Sequence, residues 1–131
     1  MATIMTVDDS VISRSVIATI LKEVGHTVII TEGPVEALKT LLVTTVDLII
    51  TDLHMPHMDG IELTKNLRAD NSLKLIPILI LTAETEKSDR LRGKAAGASG
   101  WVIKPFAPAQ LIKAVSHLLL NHVVADTKIS V

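Results

Sequence analysis

Five polar residues of the sequence could together perform chemistry on a phosphoryl group, because each of them ends or follows a short apolar segment. They are Asp8, Asp9, Asp52, Thr82 and Lys104. Two carboxylates about 4 Å apart repel each other by roughly 1 to 4 kcal/mol, so three of them in one place favour a site that binds a cation. Mg²⁺ prefers oxygen ligands and needs only one or two carboxylates beside a phosphoryl oxygen. The pattern therefore predicts an Mg²⁺ site.

Asp52 is the candidate nucleophile of this set, since a carboxylate can attack a phosphoryl group and form an acyl phosphate. Phosphoryl transfer requires positioning and charge neutralisation more than covalent chemistry from the protein. Lys104 would supply a point charge, and the Thr82 hydroxyl would donate a hydrogen bond to a phosphoryl oxygen. The five residues thus match the needs of phosphoryl transfer to Asp52.

These residues can meet only if the segments before them lie side by side in one sheet. The apolar segments, rich in β-branched residues, are 3 to 7, 27 to 31, 46 to 51, 77 to 82 and 100 to 103. Segments of helical period separate them, which predicts an α/β fold: a doubly wound parallel sheet of five strands with helices on both faces. In such sheets the functional crevice lies at the carboxyl ends of the strands, where all five polar residues fall.

Two helices are explicit in the pattern. In the first, the residues predicted to face the core are Ile12, Val16, Ile20 and Val24, and those predicted to face solvent are Ser13, Arg14, Lys22 and Glu23. The last helix, residues 108 to 121, opens with a proline, as helices often do. Periodicity stops after His122, so we expect one domain over residues 1 to 122 and a flexible tail over 123 to 131.

Each polar residue also has a simpler interpretation. Asp8 and Asp9 could cap the first helix, Asp52 could form a turn, and Lys104 could be a solvated surface charge. These interpretations leave the co-location of three carboxylates unexplained. The convergence at one edge of the sheet is therefore the observation that favours a functional site.

Composition excludes several classes of protein. The 131 residues carry a formal net charge of −1, which offers no electrostatic footprint for nucleic acid or for an anionic membrane surface. The sequence has no cysteine, so disulfides and thiolate metal sites are excluded. No apolar run approaches the roughly 18 residues of a membrane span. We expect a cytoplasmic, monomeric protein.

Four segments closely resemble the receiver domain of two-component response regulators, and in particular single-domain CheY-like chemotaxis proteins. They are VDDS at 7 to 10, DLIITDLHMPHMDG at 47 to 60, ILTA at 80 to 83 and GWVIKPF at 100 to 106. The motifs occur in the order and spacing of that family over residues 3 to about 120. The resemblance implies a flavodoxin/CheY-like sheet with strand order 2-1-3-4-5, the order known for this family.

The resemblance also implies roles for individual residues. Asp52 would accept a phosphoryl group from a histidine kinase. Asp9, Asp52 and the backbone carbonyl of His54 would bind Mg²⁺, while Asp8 would hold a metal-bound water. Lys104 would pair with the phosphoryl group, and the peptide bond between Lys104 and Pro105 would be cis.

A conformational switch is a further implication of the resemblance. In the family, the threonine matched by Thr82 moves toward the phosphoryl group and an aromatic residue on the last strand turns inward. Trp101 occupies the aromatic position, where tyrosine or phenylalanine is more usual. The alternative is that Trp101 only covers the sheet edge. Residues 86 to 97 contain one large apolar residue, Leu91, and an interior glycine, Gly93. We expect this helix to move easily.

The expected partners follow from this assignment. They are a histidine kinase of the CheA type, a flagellar motor switch protein or another protein target that binds the fourth helix, fifth strand and fifth helix, and a phosphatase. The chain would be a signalling phosphoacceptor and not an enzyme with external substrates. A phosphate sink or a phosphorelay intermediate would use the same residues.

Three other functions are compatible with parts of the pattern. A hydrolase of the haloacid dehalogenase type also uses an aspartate nucleophile, but His54 stands where its second aspartate would be. A phosphorylation-independent binding module would not need the complete acidic set. His54 and His57 could form a paired-histidine metal site, although no third soft ligand is near in sequence.

Overall fold

The computed structural model describes residues 1 to 130, with side chains described for residues 1 to 121. Strands and helices alternate along the chain. They are β1 (Thr3–Val7), α1 (Val11–Glu23), β2 (Thr27–Thr31), α2 (Pro34–Leu41), β3 (Leu48–Thr51), α3 (Gly60–Ala69), β4 (Ile78–Thr82), α4 (Lys87–Ala96), β5 (Gly100–Ile103) and α5 (Pro108–Ser130).

The five strands form one parallel sheet in the order β2-β1-β3-β4-β5. This confirms the predicted fold class and strand order. Parallel strands need crossover connections, and helices provide each of them, so both faces of the sheet are covered. The strand order reverses direction between β1 and β3, which is where a crevice opens at the carboxyl edge.

The central strands are buried on both faces, as their continuous apolar sequences predict. All residues of β3 and β4 are buried. One apolar layer lies between the sheet and α1 and α5; its buried members include Ile4, Ile17, Leu21, Leu111 and Val115. A second layer lies on the other face beneath α2 and α3; its buried members include Met5, Ala37, Leu41, Leu63 and Leu67. The two layers hold the strand ends rigidly in place.

The predicted inner face of α1 is wrong. Ile12 and Val16 are exposed, at 78% and 47%, whereas Ile17 and Leu21 are buried. The polar residues Ser13 and Arg14 point toward the sheet edge instead of the solvent: Lys104 Nζ lies 2.9 Å from the Ser13 hydroxyl, and Arg14 donates to the Asp8 carbonyl at 3.0 Å. These polar contacts, together with the row of Ile17 and Leu21, set the rotation of the helix.

The set predicted for that face has two further members. Val24 is exposed, at 39%, and Ile20 is half-buried against the core. The fourfold spacing of apolar residues fits the predicted row, and it fits equally the adjacent row of Ile17 and Leu21, which is the one that is buried. Lys22 and Glu23 are exposed, as predicted.

Helix α5 begins at Pro108, as predicted, and its helical backbone continues to Ser130, beyond the predicted 121. Val131 lies outside the described residues, and the flexibility of residues 123 to 131 stays a prediction. Within the described part of the chain, none of the helices combines the length and the hydropathy needed to cross a bilayer.

Candidate functional site

The end of β1 presents two carboxylates of different exposure. Asp8 is buried; its Oδ1 accepts a hydrogen bond from the Ser10 backbone N–H at 2.9 Å. Asp9 is exposed at the edge of the crevice. Ser10, and neither aspartate, caps α1, because its hydroxyl accepts from the Ser13 N–H at 3.3 Å. Both carboxylates are therefore free of the capping role that would have been their simpler explanation.

Asp52 directly follows β3, and its backbone lies close to the start of α3. Its Oδ1 accepts from the Leu53 N–H at 2.7 Å. Gly60 is the first residue of α3, and a Cβ atom there would overlap the carbonyl oxygen of Asp52. Asp59 caps the helix by accepting from the Glu62 N–H at 2.8 Å. The Asp59-Gly60 pair thus lets α3 begin close against the backbone that carries the candidate nucleophile.

Lys104 brings a positive charge to these carboxylates from the end of β5. Its ammonium donates to Asp8 Oδ2 at 3.2 Å and to Asp52 Oδ2 at 3.4 Å. Its side chain is 22% exposed, against 3% for Asp8 and 16% for Asp52. The peptide bond between Lys104 and Pro105 is cis. The ammonium therefore lies between two aspartates that the sequence separates by more than 40 residues.

Three carboxylates meet beside this ammonium. One oxygen from each of Asp8, Asp9 and Asp52 lies within 4.8 Å of the other two. Lys104 supplies one positive charge against three negative charges, so the set retains an excess of negative charge. The ligands are all carboxylate oxygens, which is the chemistry that Mg²⁺ prefers. The residues present fit a hard divalent cation.

Thr82 and the loop after it border the same edge. The Thr82 side chain is buried, and its hydroxyl accepts from the Glu84 N–H at 3.2 Å. Glu84 in turn pairs with His54, whose Nε2 lies 3.3 Å from Glu84 Oε2. The pKa of Glu84 is lowered, chiefly because the Glu86 N–H donates to its carboxylate and secondly because of the hydrogen bond with His54. The pair joins the loops that follow β3 and β4.

Trp101 on β5 packs against α4. Its half-buried indole contacts the apolar cluster of Leu53, Ile61 and Ile80. Its indole nitrogen is buried and has no hydrogen-bond partner among the described residues. The ring lies against Gly93 of α4, and the switch role of Trp101 stays a prediction.

His54 and His57 do not form a metal site in the described part of the chain. The carboxylate or imidazole cluster that could hold a metal there consists of Asp8, Asp9 and Asp52 alone. The His54 imidazole instead contacts Glu84, and His57 adopts a positive φ of 74° in the turn.

Ser13 is the site residue that the sequence did not indicate. Its hydroxyl accepts from Lys104 Nζ at 2.9 Å, the shortest contact of that ammonium. A correct assignment of the buried face of α1 would have placed Ser13 at the site, but the apolar pattern indicated the wrong face.

Comparison with known proteins identifies the same family as the sequence motifs do. The family model described as the response regulator receiver domain matches residues 4–116 of the chain. The chemotaxis protein CheY-3 of Vibrio cholerae is 37% identical over 110 residues, which cover 82% of this chain and 84% of that protein.

Solved structures agree with the sequence comparison. The chemotaxis protein CheY4 of Vibrio cholerae superposes with a TM-score of 0.86 at 38% identity, covering 90% of this chain and 98% of that one. The receiver domain of the sensor histidine kinase PA1611 of Pseudomonas aeruginosa has a TM-score of 0.83 at 27% identity, covering 90% of this chain and 97% of that one. That structure has a magnesium ion coordinated in its active-site cleft.

Proposed function

The chain belongs to the response regulator receiver family, and we propose that it is a CheY-like phosphorylation switch that accepts a phosphoryl group on Asp52 from a histidine kinase. The observation that carries this proposal is the cluster of Asp8, Asp9 and Asp52 with the Lys104 ammonium between two of its members. In this account the chain catalyses only its own phosphorylation and dephosphorylation and acts in the cytoplasm.

The proposed reaction is a phosphoryl transfer between two side chains. A carboxylate oxygen of Asp52 attacks the phosphorus of a phosphohistidine, the phosphorus–nitrogen bond breaks, and the imidazole leaves with the electron pair and takes up a proton. Lys104 neutralises charge on the phosphoryl oxygens, and its position beside Asp52 Oδ2 supports this role. Thr82, buried at the end of β4, would donate its hydroxyl once the phosphoryl group is present.

Mg²⁺ is the cofactor that the site fits. Asp9, Asp52 and the backbone carbonyl of His54 would hold it, with Asp8 holding a metal-bound water. When bound, the ion neutralises charge on the transferring phosphoryl group. The chain's own contribution is a rigid set of oxygens, fixed by the hydrogen bonds to Asp8 and Asp52.

We propose that phosphorylation changes the binding surface formed by α4, β5 and α5. Two grooves lie on this side of the molecule. One has a volume of about 610 Å³ and is lined by residues that include Lys87, Arg90 and Trp101. The other, of about 640 Å³, is lined mainly by α5 residues such as Lys113 and Leu120. Helix α4 buries only Gly93 among its residues, which supports its predicted mobility.

The proposed pathway is chemotaxis, with a CheA-type kinase as phosphodonor, a flagellar motor switch protein as target and a phosphatase to end the signal. The support is the similarity to chemotaxis proteins of Vibrio cholerae over most of both chains. A phosphate sink or a phosphorelay intermediate is the alternative, because both would use the same pocket without a target on the α4 side.

Two experiments test this proposal. Incubation with a phosphohistidine-bearing kinase should move the phosphoryl group to the wild-type chain and leave Asp52→Asn unlabelled. Hydrogen exchange with and without beryllofluoride should then differ over residues 86 to 97. Equal protection of that segment in both states would contradict the switch while leaving the phosphoacceptor role intact.

A further inference from the structure

The Lys104 ammonium has three hydrogen-bond acceptors, one for each of its N–H groups. They are Asp8 Oδ2 at 3.2 Å, Asp52 Oδ2 at 3.4 Å and Ser13 Oγ at 2.9 Å. The neutral hydroxyl makes the shortest of the three contacts, and the candidate nucleophile makes the longest. Lys104 is thus held more closely by α1 than by Asp52.

The position of Ser13 is fixed by the helix that carries it. Its N–H donates to the capping hydroxyl of Ser10 at 3.3 Å, and the next residue, Arg14, donates to the Asp8 carbonyl at 3.0 Å. Ile12, on the same turn, is 78% exposed. A rotation that buried Ile12 would remove Ser13 from the sheet edge, whereas the observed rotation buries Ile17 and Leu21 and keeps Ser13 at that edge.

A neutral acceptor has a specific advantage at this place. A third carboxylate around the ammonium would add to the repulsion among Asp8, Asp9 and Asp52. A hydroxyl satisfies the third N–H without adding charge. With no acceptor there, the ammonium could leave its position between the aspartates and would be stabilised by water alone on that side.

We propose that Ser13 is a positioning residue for phosphoryl transfer, whose hydroxyl holds the Lys104 ammonium where it can meet the oxygens of the incoming phosphoryl group. This inference rests on the proposed phosphoacceptor role of Asp52. During transfer, the N–H that faces Asp52 becomes the donor to a phosphoryl oxygen, while the contacts to Ser13 and Asp8 keep the ammonium in place.

A matched pair of variants tests the proposal. Ser13→Thr keeps a hydroxyl. Ser13→Val has the same shape as Ser13→Thr and a similar helix propensity, but a methyl group stands in place of the hydroxyl. With phosphoramidate as donor and saturating Mg²⁺, we expect Ser13→Val to be phosphorylated about five- to tenfold more slowly than wild type, and Ser13→Thr to be close to wild type. The dependence of the rate on donor concentration separates binding from transfer.

Two further readouts distinguish positioning from a merely structural effect. Mg²⁺ affinity, measured by calorimetry, should not fall in either variant, because the three carboxylates are unchanged. In a proton–nitrogen correlation spectrum of the ammonium groups without Mg²⁺, wild type and Ser13→Thr should show the Lys104 signal, which Ser13→Val should lose. The signal is assigned by its disappearance in Lys104→Arg.

The outcomes separate this inference from the proposed function. Equal rates in Ser13→Val and Ser13→Thr would overturn the role of Ser13, whether both match wild type or both are slow. If wild type itself gained no phosphoryl group, the proposed function would fail and the inference with it.

Discussion

Gly93 on α4 and Trp101 on β5 are complementary in shape: a Cβ atom at Gly93 would lie 2.8 Å from Cζ3 of the indole. The same atom would lie 3.3 Å from Cε3 of Trp101 and 3.4 Å from Cδ1 of Ile80. The glycine therefore leaves room for the ring, and a large aromatic residue on β5 requires a small residue on α4.

The first prediction concerns Gly93→Ala. Alanine in a helix is normally more favourable than glycine by about 1 kcal/mol, but here the methyl group would collide with the indole. We expect the free energy of unfolding to fall by about 1 to 2 kcal/mol, measured by urea denaturation followed by circular dichroism.

The control for this prediction is the same substitution beside a smaller ring. In a Trp101→Phe background, Gly93→Ala should stabilise the protein, because the colliding atoms are absent and the helix propensity remains. An equal loss in both backgrounds would show that the indole is not the cause.

The second prediction concerns Arg68, which joins α3 to the segment before β4 and to the segment between α4 and β5. Its guanidinium donates to the carbonyls of Ile76 at 2.6 Å, Gly97 at 2.9 Å and Lys74 at 3.0 Å. Arg68→Met would leave these carbonyls without the donor, so we expect a loss of about 2 to 3 kcal/mol in urea denaturation.

Arg92→Met is the matched control for this change. Arg92 is 58% exposed and pairs with Asp89, three residues away on the same helix. We expect its substitution to cost less than about 0.5 kcal/mol. Similar costs for the two variants would contradict the role given to Arg68.

The third prediction concerns the pH dependence of stability. His26 Nδ1 accepts a hydrogen bond from the Ala2 N–H at 3.2 Å, which requires an unprotonated nitrogen. Burial lowers the pKa of His26, with a further contribution from the positive charge of the N-terminal amino group. The unfolded chain therefore binds the proton more tightly than the folded chain does.

The lower pKa of His26 in the folded chain determines how stability changes with pH. The stabilisation is fully present above the unfolded pKa of about 6.5 and is lost as the pH falls through that value toward the lower pKa of the folded state. His26→Asn keeps an acceptor but does not titrate. We expect the stability difference between wild type and this variant to shrink or reverse from about pH 7.5 to 5.5; a constant difference would contradict the assignment.

The fourth prediction concerns metal binding and stability. Asp9 is an exposed member of the carboxylate cluster, and Lys104 contacts the other two members, Asp8 and Asp52. In EDTA, Asp9→Asn should raise the free energy of unfolding by about 1 kcal/mol, because it removes repulsion without removing a partner of Lys104. Added Mg²⁺ should stabilise wild type and have a much smaller effect on the variant.

Asp47→Asn is the control, since Asp47 lies before β3 at the opposite edge of the sheet and accepts from the Thr3 N–H. Its stability should respond to Mg²⁺ as wild type does. Equal responses of all three proteins would mean that Asp9 is not part of the metal site.

The sequence was sufficient to predict the sheet and the meeting of its polar residues. Strands that are buried on both faces have continuous apolar sequences, and the carboxyl ends of parallel strands share one edge. Asp8, Asp9, Asp52 and Lys104 could therefore be placed together before any distance was known.

The rotation of α1 could not be predicted in the same way. The helix has apolar residues on two adjacent rows, and the row of Ile12 and Val16 was the wrong choice. The buried row is that of Ile17 and Leu21, and this rotation brings Ser13 into contact with Lys104, a residue 91 positions away. Periodicity reports only local spacing, so such long-range polar contacts lie outside its reach.

Gly93 illustrates a second limit. The sequence indicated only that a glycine weakens a helix. The structure adds that its missing side chain accommodates Trp101. Pairwise complementarity of this kind is a property of packing between elements that are distant in sequence.

The most direct test of the central claim is the intact mass of the acid-quenched protein after incubation with phosphoramidate and Mg²⁺. We predict one phosphoryl adduct that is absent with EDTA and in Asp52→Asn, and borohydride reduction should convert residue 52 of the labelled protein to homoserine. An adduct that persists in Asp52→Asn, or no adduct under conditions that label a known receiver domain, would contradict the assignment of Asp52 as the phosphoacceptor.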